Sequence, residues 1–143
     1  MGVGEATLYL LDTNMVAYIV SGRSRAARVA MAETMERFPV GISAITEAEM
    51  LYGLAKRPEA TRLRAGVEAL LGAVEILAWD SAAARAYRTL RARLSMAGKS
   101  LSAMDMLIAA HAISENAVLV TSDAAFLQVE ALQPVVNWAT DLN

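Results

Sequence analysis

Four short segments each set one carboxylate where an apolar run gives way to a helical pattern. They are Leu11-Asp12-Thr13-Asn14, Thr46-Glu47-Ala48-Glu49, Ser102-Ala103-Met104-Asp105 and Thr121-Ser122-Asp123. In a parallel α/β fold, strand ends of this kind share one edge of the sheet, and ligands bind along that edge. Four acids on one edge repel each other unless positive charge lies between them, and a divalent cation is the simplest source of it.

Each acid also has a plainer reading. Asp12 directly follows Leu8-Tyr9-Leu10-Leu11, so it is either the N-cap of a helix or a ligand held at a strand end. Glu49 lies three residues after Thr46, the spacing of a capping box. Glu47 projects about 200° away from it on a helix, so the two cannot face one site. Glu49 shares its side with Tyr52 and Gly53, where the missing side chain allows another backbone to approach. Asp105 stands three residues after Ser102 and completes a second capping box. Yet Met106-Leu107-Ile108-Ala109-Ala110-His111-Ala112 is too apolar for a surface helix, and an acid at the mouth of a buried helix is costly unless paired or metal-bound. Asp123 either caps a short helix or joins the cluster, with Thr121 and Ser122 adding hydroxyls for a water or a phosphate oxygen. His111, the one histidine, lies on a stripe with Met104, Leu107 and Ile108 and reads as a satisfied, partly buried imidazole. Capping accounts for each acid separately. It does not explain why the caps should converge with no basic residue near them in sequence.

The elements that must position these residues alternate along the chain. Short apolar runs at 7–11, 40–42, 74–77 and 117–120 predict buried strands, with a fifth, at an edge, over 134–137. Helical patterns occupy 13–20, 25–38, 44–56, 59–71, 81–97, 103–115 and, briefly, 124–129. Pro39 and Pro58 end two of them, and Gly98 is placed as a C′ glycine. The long helix over 81–97 turns Ala83, Tyr87, Leu90 and Leu94 to one side. Strands separated by helices predict an α/β fold, a central mostly parallel sheet of about five short strands with helices on both faces. At 143 residues the chain is read as a single domain over 1–143.

Composition narrows the class. Apolar residues make up 56% of the chain, but no apolar run approaches the roughly 18 residues of a membrane span. The N-terminus lacks the basic flank and the length of a signal peptide. There is no cysteine, which excludes disulfides and thiolate metal sites and fits the cytoplasm. So much apolar surface in a small domain predicts a subunit interface, with a homodimer as the expected assembly. The net charge of −2 is unevenly spread. Arg85, Arg88, Arg91, Arg93 and Lys99 crowd one stretch, while no Lys or Arg follows Lys99. A basic helix beside an acidic pocket suits a polyanion whose scissile phosphate meets a metal. A solvated helix face is the plainer account of the same charges.

Taken in order, these segments resemble the PIN domain family, and within it the VapC-type toxin ribonucleases of bacterial toxin–antitoxin pairs. Leu11-Asp12-Thr13-Asn14 is similar to the family's opening motif. Ile42-Ser43-Ala44-Ile45-Thr46 with Glu49 and Gly53 is similar to the second. Gly98 and Asp105 with Leu107-Ile108-Ala109-Ala110-His111 resemble the third, Thr121-Ser122-Asp123 with Phe126 the fourth, and Val136-Asn137-Trp138 the usual ending. Two departures stand out: Ser102 replaces a frequent glycine, and Asp123 stands where many relatives carry Asn.

The resemblance implies a PIN-like fold, a Mg²⁺- or Mn²⁺-dependent endoribonuclease, a homodimer and a cognate VapB-type antitoxin. Mg²⁺ takes one or two carboxylates directly and keeps several waters. Asp12 and Asp105 are therefore assigned as direct ligands, and Glu49 and Asp123 as holders of coordinated waters or of a second ion. Thr121 is assigned to position the attacking water or a phosphate, and Asn14 to orient Asp12. Arg85 and Arg88, three apart on one helix with Arg91 continuing the row, are the expected contacts to the RNA backbone. The competing expectations are a PIN-like nuclease for DNA or flapped structures, a catalytically silent module that binds RNA or a partner, and a receiver-like domain phosphorylated on Asp12. The intact set of four acids argues against silence, and the lack of a late lysine argues against a receiver.

Overall fold

Alternation along each strand sends its residues to two different cores. Leu10 and Leu119 join one buried cluster, while Leu11, Ile42 and Val120 join another. The computed structural model describes residues 7–132 and 134–142. The strands are β1 (Tyr9–Leu11), β2 (Val40–Ser43), β3 (Glu75–Leu77), β4 (Val118–Val120) and β5 (Val135–Val136). All pair in parallel, in the order β3-β2-β1-β4-β5. The helices are α1 (Thr13–Ser21), α2 (Arg25–Met35), α3 (Ala44–Lys56), α4 (Thr61–Ala73), α5 (Ser81–Met96) and α6 (Ala103–Ser114), followed by 3-10 turns at Ala124–Gln128 and Glu130–Leu132. On the Leu10 face lie Leu90 and Leu94 of α5, Ile108 and Ala109 of α6, and Phe126. On the Leu11 face lie Met15 and Val16 of α1, Met31 of α2 and Leu70 of α4. Both faces are covered, as expected for a parallel sheet. Among the described residues, no helix is long and apolar enough to cross a membrane.

Polar side chains set the helix starts. Asp12, Ser24, Ser43, Asp80 and Ser102 each accept a hydrogen bond from a first-turn amide of the helix that follows. Gly98 closes α5 at φ +70°, the left-handed conformation expected of it. Near the C-terminus, Ser24 donates to Asp141 at 2.6 Å, and the Ala26 amide donates to the same carboxylate at 3.2 Å, so this tail pins the start of α2.

Several boundaries differ from the periodicity reading. α2 stops at Met35 rather than Phe38, because the residue before Pro39 is driven out of the helical region. α4 begins at Thr61, two residues late, after a turn in which the Ala60 amide bonds to the Arg57 carbonyl. The segment after Asp123 is a 3-10 turn rather than an α-helix. α3 is capped by Ser43, not Thr46, so the capping box expected for Thr46 and Glu49 does not form. Gly53 also departs from expectation, since nothing lies within 4 Å of the place a Cβ would occupy. The close backbone approach is made instead by Gly66, whose added Cβ would stand 2.9 Å from the Val20 carbonyl oxygen.

These two glycines should respond oppositely to alanine. Gly66→Ala drives a methyl into the backbone of α1 and is expected to cost roughly 1–3 kcal/mol. Gly53→Ala, in an open helical position, should stabilise by roughly 0.5–1 kcal/mol. Urea unfolding of the two variants checks this, and equal destabilisation would contradict the α1–α4 packing.

Candidate active site

β1 is central, and the chain order reverses between it and β4, so the crevice beyond their C-terminal ends is the switch point of the sheet. Leu11 pairs with Val120, and the Asp12 amide donates to the Val120 carbonyl at 3.0 Å. Asp12 and Thr121 therefore leave adjacent strand ends side by side. The Thr121 hydroxyl donates to Asp12 Oδ2 at 2.5 Å, while the Met15 amide donates to Oδ1 at 2.8 Å. Asp12 is thus both the cap of α1 and a buried carboxylate, with 3% of its surface exposed. Its two readings are one arrangement.

Burial pushes the Asp12 carboxyl up to about 6, with the charges of Asp105 and Asp123 adding to the rise and the bonds from Thr121 and Met15 opposing it. Asp105, half-buried in the first turn of α6, is raised by burial and by Asp123, against a lowering bond from Ser102. The Asp105 amide donates to Ser102 Oγ at 3.2 Å, so the expected cap at that helix start is present. Asp123 accepts from the Ala125 amide at 2.9 Å and caps the 3-10 turn. Asp12, Asp105 and Asp123 therefore share one electrostatic neighbourhood. No Lys or Arg forms an ion pair with any of them among the described residues.

The other predicted residues are placed differently. Glu49 is half-buried in a concavity between α1, α3 and α4, with Tyr18, Arg23 and Gly53. Asn14 is exposed, and both Asp12 oxygens are bonded by other groups, so Thr121 rather than Asn14 orients Asp12. The Thr121 hydroxyl gives its proton to Asp12 and accepts from the Asp123 amide at 3.0 Å. With both roles taken and 2% of the residue exposed, it positions carboxylates rather than an attacking water. Arg85 and Arg88 are exposed on α5, and Arg85 bonds back to Ser81 at 2.9 Å. Their neighbours Ala86 and Thr89 share a cavity wall with Ile113, eight residues and about 12 Å along α6 from Asp105. His111 is fully buried, and neither ring nitrogen has a hydrogen-bond partner among the described residues, contrary to the satisfied imidazole expected. Its nearest ionic neighbour is Glu115 at 3.9 Å, and burial lowers its pKa.

One pair escaped the sequence reading. Thr13 and Thr46 bring their hydroxyls to 3.1 Å and tie the start of α1 to that of α3. Both threonines flank recognisable acids, but only the β1–β2 register that sets Leu11 beside Ile42 joins them.

Among the described residues no three His, Asp or Glu side chains form a group that could hold a metal ion. The oxygens present fit a hard cation that takes one or two carboxylates and keeps its remaining shell as water. The all-oxygen character of Asp12, Asp105 and Asp123 matches Mg²⁺ or Mn²⁺ better than a softer metal.

The raised pKa of Asp12 makes its ionisation oppose folding. Between the unfolded value of 3.8 and about 6, the folded state holds the proton, so stability falls as pH rises through that window. The full effect is about 3 kcal/mol. In EDTA, urea unfolding of Asp12→Asn against wild type should show the variant gaining roughly 2–3 kcal/mol relative to wild type between pH 4 and pH 7. A difference independent of pH would mean that the carboxylate is not desolvated.

Comparison with known proteins identifies the family. The family model described as PIN domain matches residues 9–132. Ribonuclease VapC2 of Haemophilus influenzae is 35% identical over 136 residues, which cover 91% of this chain and 97% of that protein. The tRNA(fMet)-specific endonuclease VapC of Shigella flexneri is 29% identical, covering 80% of this chain and 86% of its own. Among solved structures, VapBC2 from Rickettsia felis, bound to a DNA fragment from their promoter, superposes with a TM-score of 0.83 at 27% identity, covering 92% of this chain and 97% of that one. The chain belongs to the PIN domain family, among its VapC-type members.

Proposed function

We propose that this protein is a Mg²⁺- or Mn²⁺-dependent endoribonuclease that acts in the cytoplasm as the toxin of a toxin–antitoxin pair. The observation that carries the reading is the buried Asp12 carboxylate at the switch point, pressed upon by Asp105 and Asp123 without a protein cation to neutralise them. Such a site stores an unmet demand for positive charge. Asp12 and Asp105 would hold the ion, Asp123 would act on its outer shell, and Glu49 would serve from the α3 side. A divalent cation bound there supplies Lewis acidity toward water and the phosphate oxygens.

The protein's own part is positional. Thr121 fixes Asp12 through its hydroxyl proton, the α1 amide of Met15 fixes the other oxygen, and Ser102 holds Asp105 at the helix start. Water, rather than the ribose 2′-hydroxyl, would form the new P–O bond as the bond from phosphorus to the 3′-oxygen breaks, leaving 5′-phosphate and 3′-hydroxyl ends. Asn14, exposed beside Asp12, and Arg85 and Arg88 on α5 are proposed as substrate contacts.

The partner reading draws on the groove next to the site. Ala17, Met50, Leu63 and Val67 give it an apolar lining, and Glu49 lies within it. We assign this groove to a VapB-type antitoxin whose basic side chain reaches the acids. Exposed Leu51, Tyr52 and Ile76, with the high apolar content, support a homodimer.

The test is cleavage of a mixed structured RNA pool by purified protein with Mg²⁺ or Mn²⁺ against EDTA. Cleavage should require the metal and leave 5′-phosphate ends. Asp105→Asn should stay folded and lose cleavage. Thr121→Val, which removes the bond that orients Asp12 together with the acceptor for the Asp123 amide, should slow it by roughly 10–100-fold. An Asp105→Asn protein that cuts as fast as wild type would refute the site.

A further inference from the structure

None of the thirteen Lys and Arg side chains forms an ion pair with a carboxylate among the described residues. Three of them line one concavity. Arg28, Arg57 and Arg62 surround a cavity of about 610 Å³ at the C-terminal end of α1, and no acidic side chain lines it. This cavity shares Val20, Ser21 and Leu63 with the concavity that holds Glu49, so the two form one groove along α1.

The local structure concentrates positive charge there. Arg28 donates from Nε to the Ile19 carbonyl at 2.7 Å, which fixes its guanidinium against the end of α1. Gly22, in the left-handed conformation at φ +77°, makes room for it: an added Cβ would stand 3.2 Å from Nη2. Arg57 ends α3, and Arg62 lies in the first turn of α4, where the helix dipole is itself positive. No side chain caps that helix start. Three guanidinium groups beside an uncapped helix N-terminus repel one another, and neither Arg57 nor Arg62 makes a side-chain bond to another described residue that would offset this. The arrangement is explained by an anion that comes from outside.

We propose that Arg28, Arg57 and Arg62 grip the phosphate backbone of the RNA substrate, about 15 Å along α1 from Asp12. The inference rests on the endoribonuclease reading above and adds to it the place where the strand is held. An acidic catalytic edge repels a polyanion, so the attraction must come from another part of the surface. Through Val20, Ser21 and Leu63 this groove continues from the concavity that holds Glu49 to the arginines. Arginine, with its planar fork of donors, suits phosphate oxygens.

The test uses the full-length Arg57→Gln/Arg62→Gln protein, since neither side chain bonds to another described residue, and keeps Arg28, which braces α1. Binding of a fluorescein-labelled oligouridylate is followed by anisotropy in EDTA over a range of KCl concentrations, with melting temperatures checked in parallel. The slope of log affinity against log salt should flatten by about 1.4, with binding on the order of tenfold weaker at 100 mM salt. Wild-type binding with an unchanged slope in the variant overturns the groove assignment and leaves the proposed function standing. A wild type that neither binds nor cleaves RNA removes both. A variant that keeps the RNA slope but loses a polyglutamate peptide gives the groove to an acidic polypeptide and overturns the proposal.

Discussion

The hydrogen bond from the Thr121 hydroxyl to Asp12, closed across the ends of β1 and β4, holds together a structural demand and a chemical one. Asp12 must cap α1, and it does so from the end of the most central strand, where there is little water to solvate its charge. Thr121 and the Met15 amide meet that charge in part, but Asp105 and Asp123 raise its cost again. A carboxylate in this state is a poor contributor to stability and a well-oriented ligand. Its geometry depends on the parallel β1–β4 pairing, on α1 starting one residue after β1, and on the loop that follows β4.

Around that bond the charges are sorted by position rather than paired. The acids at the switch point sit at helix and turn starts, where backbone amides soften their repulsion. The arginines stand on α2, α4 and α5, at the end of α3 and, for Arg23 and Arg37, in the segments that flank α2, without carboxylate partners among the described residues. A protein that relied on ion pairs for stability would interleave the two signs. Here the apolar clusters on the two faces of the sheet carry the fold.

Glu49 and His111 show how a residue can be conspicuous in sequence and ambiguous in space. Glu49 belongs to the groove beside α1, apart from the two acids, Asp105 and Asp123, whose charges act on Asp12. His111 sits in the core with unpartnered ring nitrogens, beside Glu115. It shares α6 with Asp105, but not the site.

The strands, most helix limits, the α5 apolar face and the acids that follow β1 and β4 were legible in the chain, because periodicity, prolines and capping residues are local signals. So was the family, since five weak motifs in order constrain one another. The other two acids do not stand at strand ends, since Asp105 opens α6 directly after α5 and Glu49 lies inside α3. Which groups touch was not legible. Thr46 carries the spacing of a capping box, yet it is buried against Thr13; Gly53 suggests a close approach that Gly66 makes; and Thr121, read as a group for water, spends its proton on Asp12. These outcomes turn on strand register and on the crossing of α1 with α3 and α4, which join residues far apart in the chain. By itself the sequence determined the elements and the kind of chemistry. Only the tertiary structure decided that Asp12, Asp105 and Asp123 act on one another, because charges couple through distance and burial, and neither is a property of spacing along the chain.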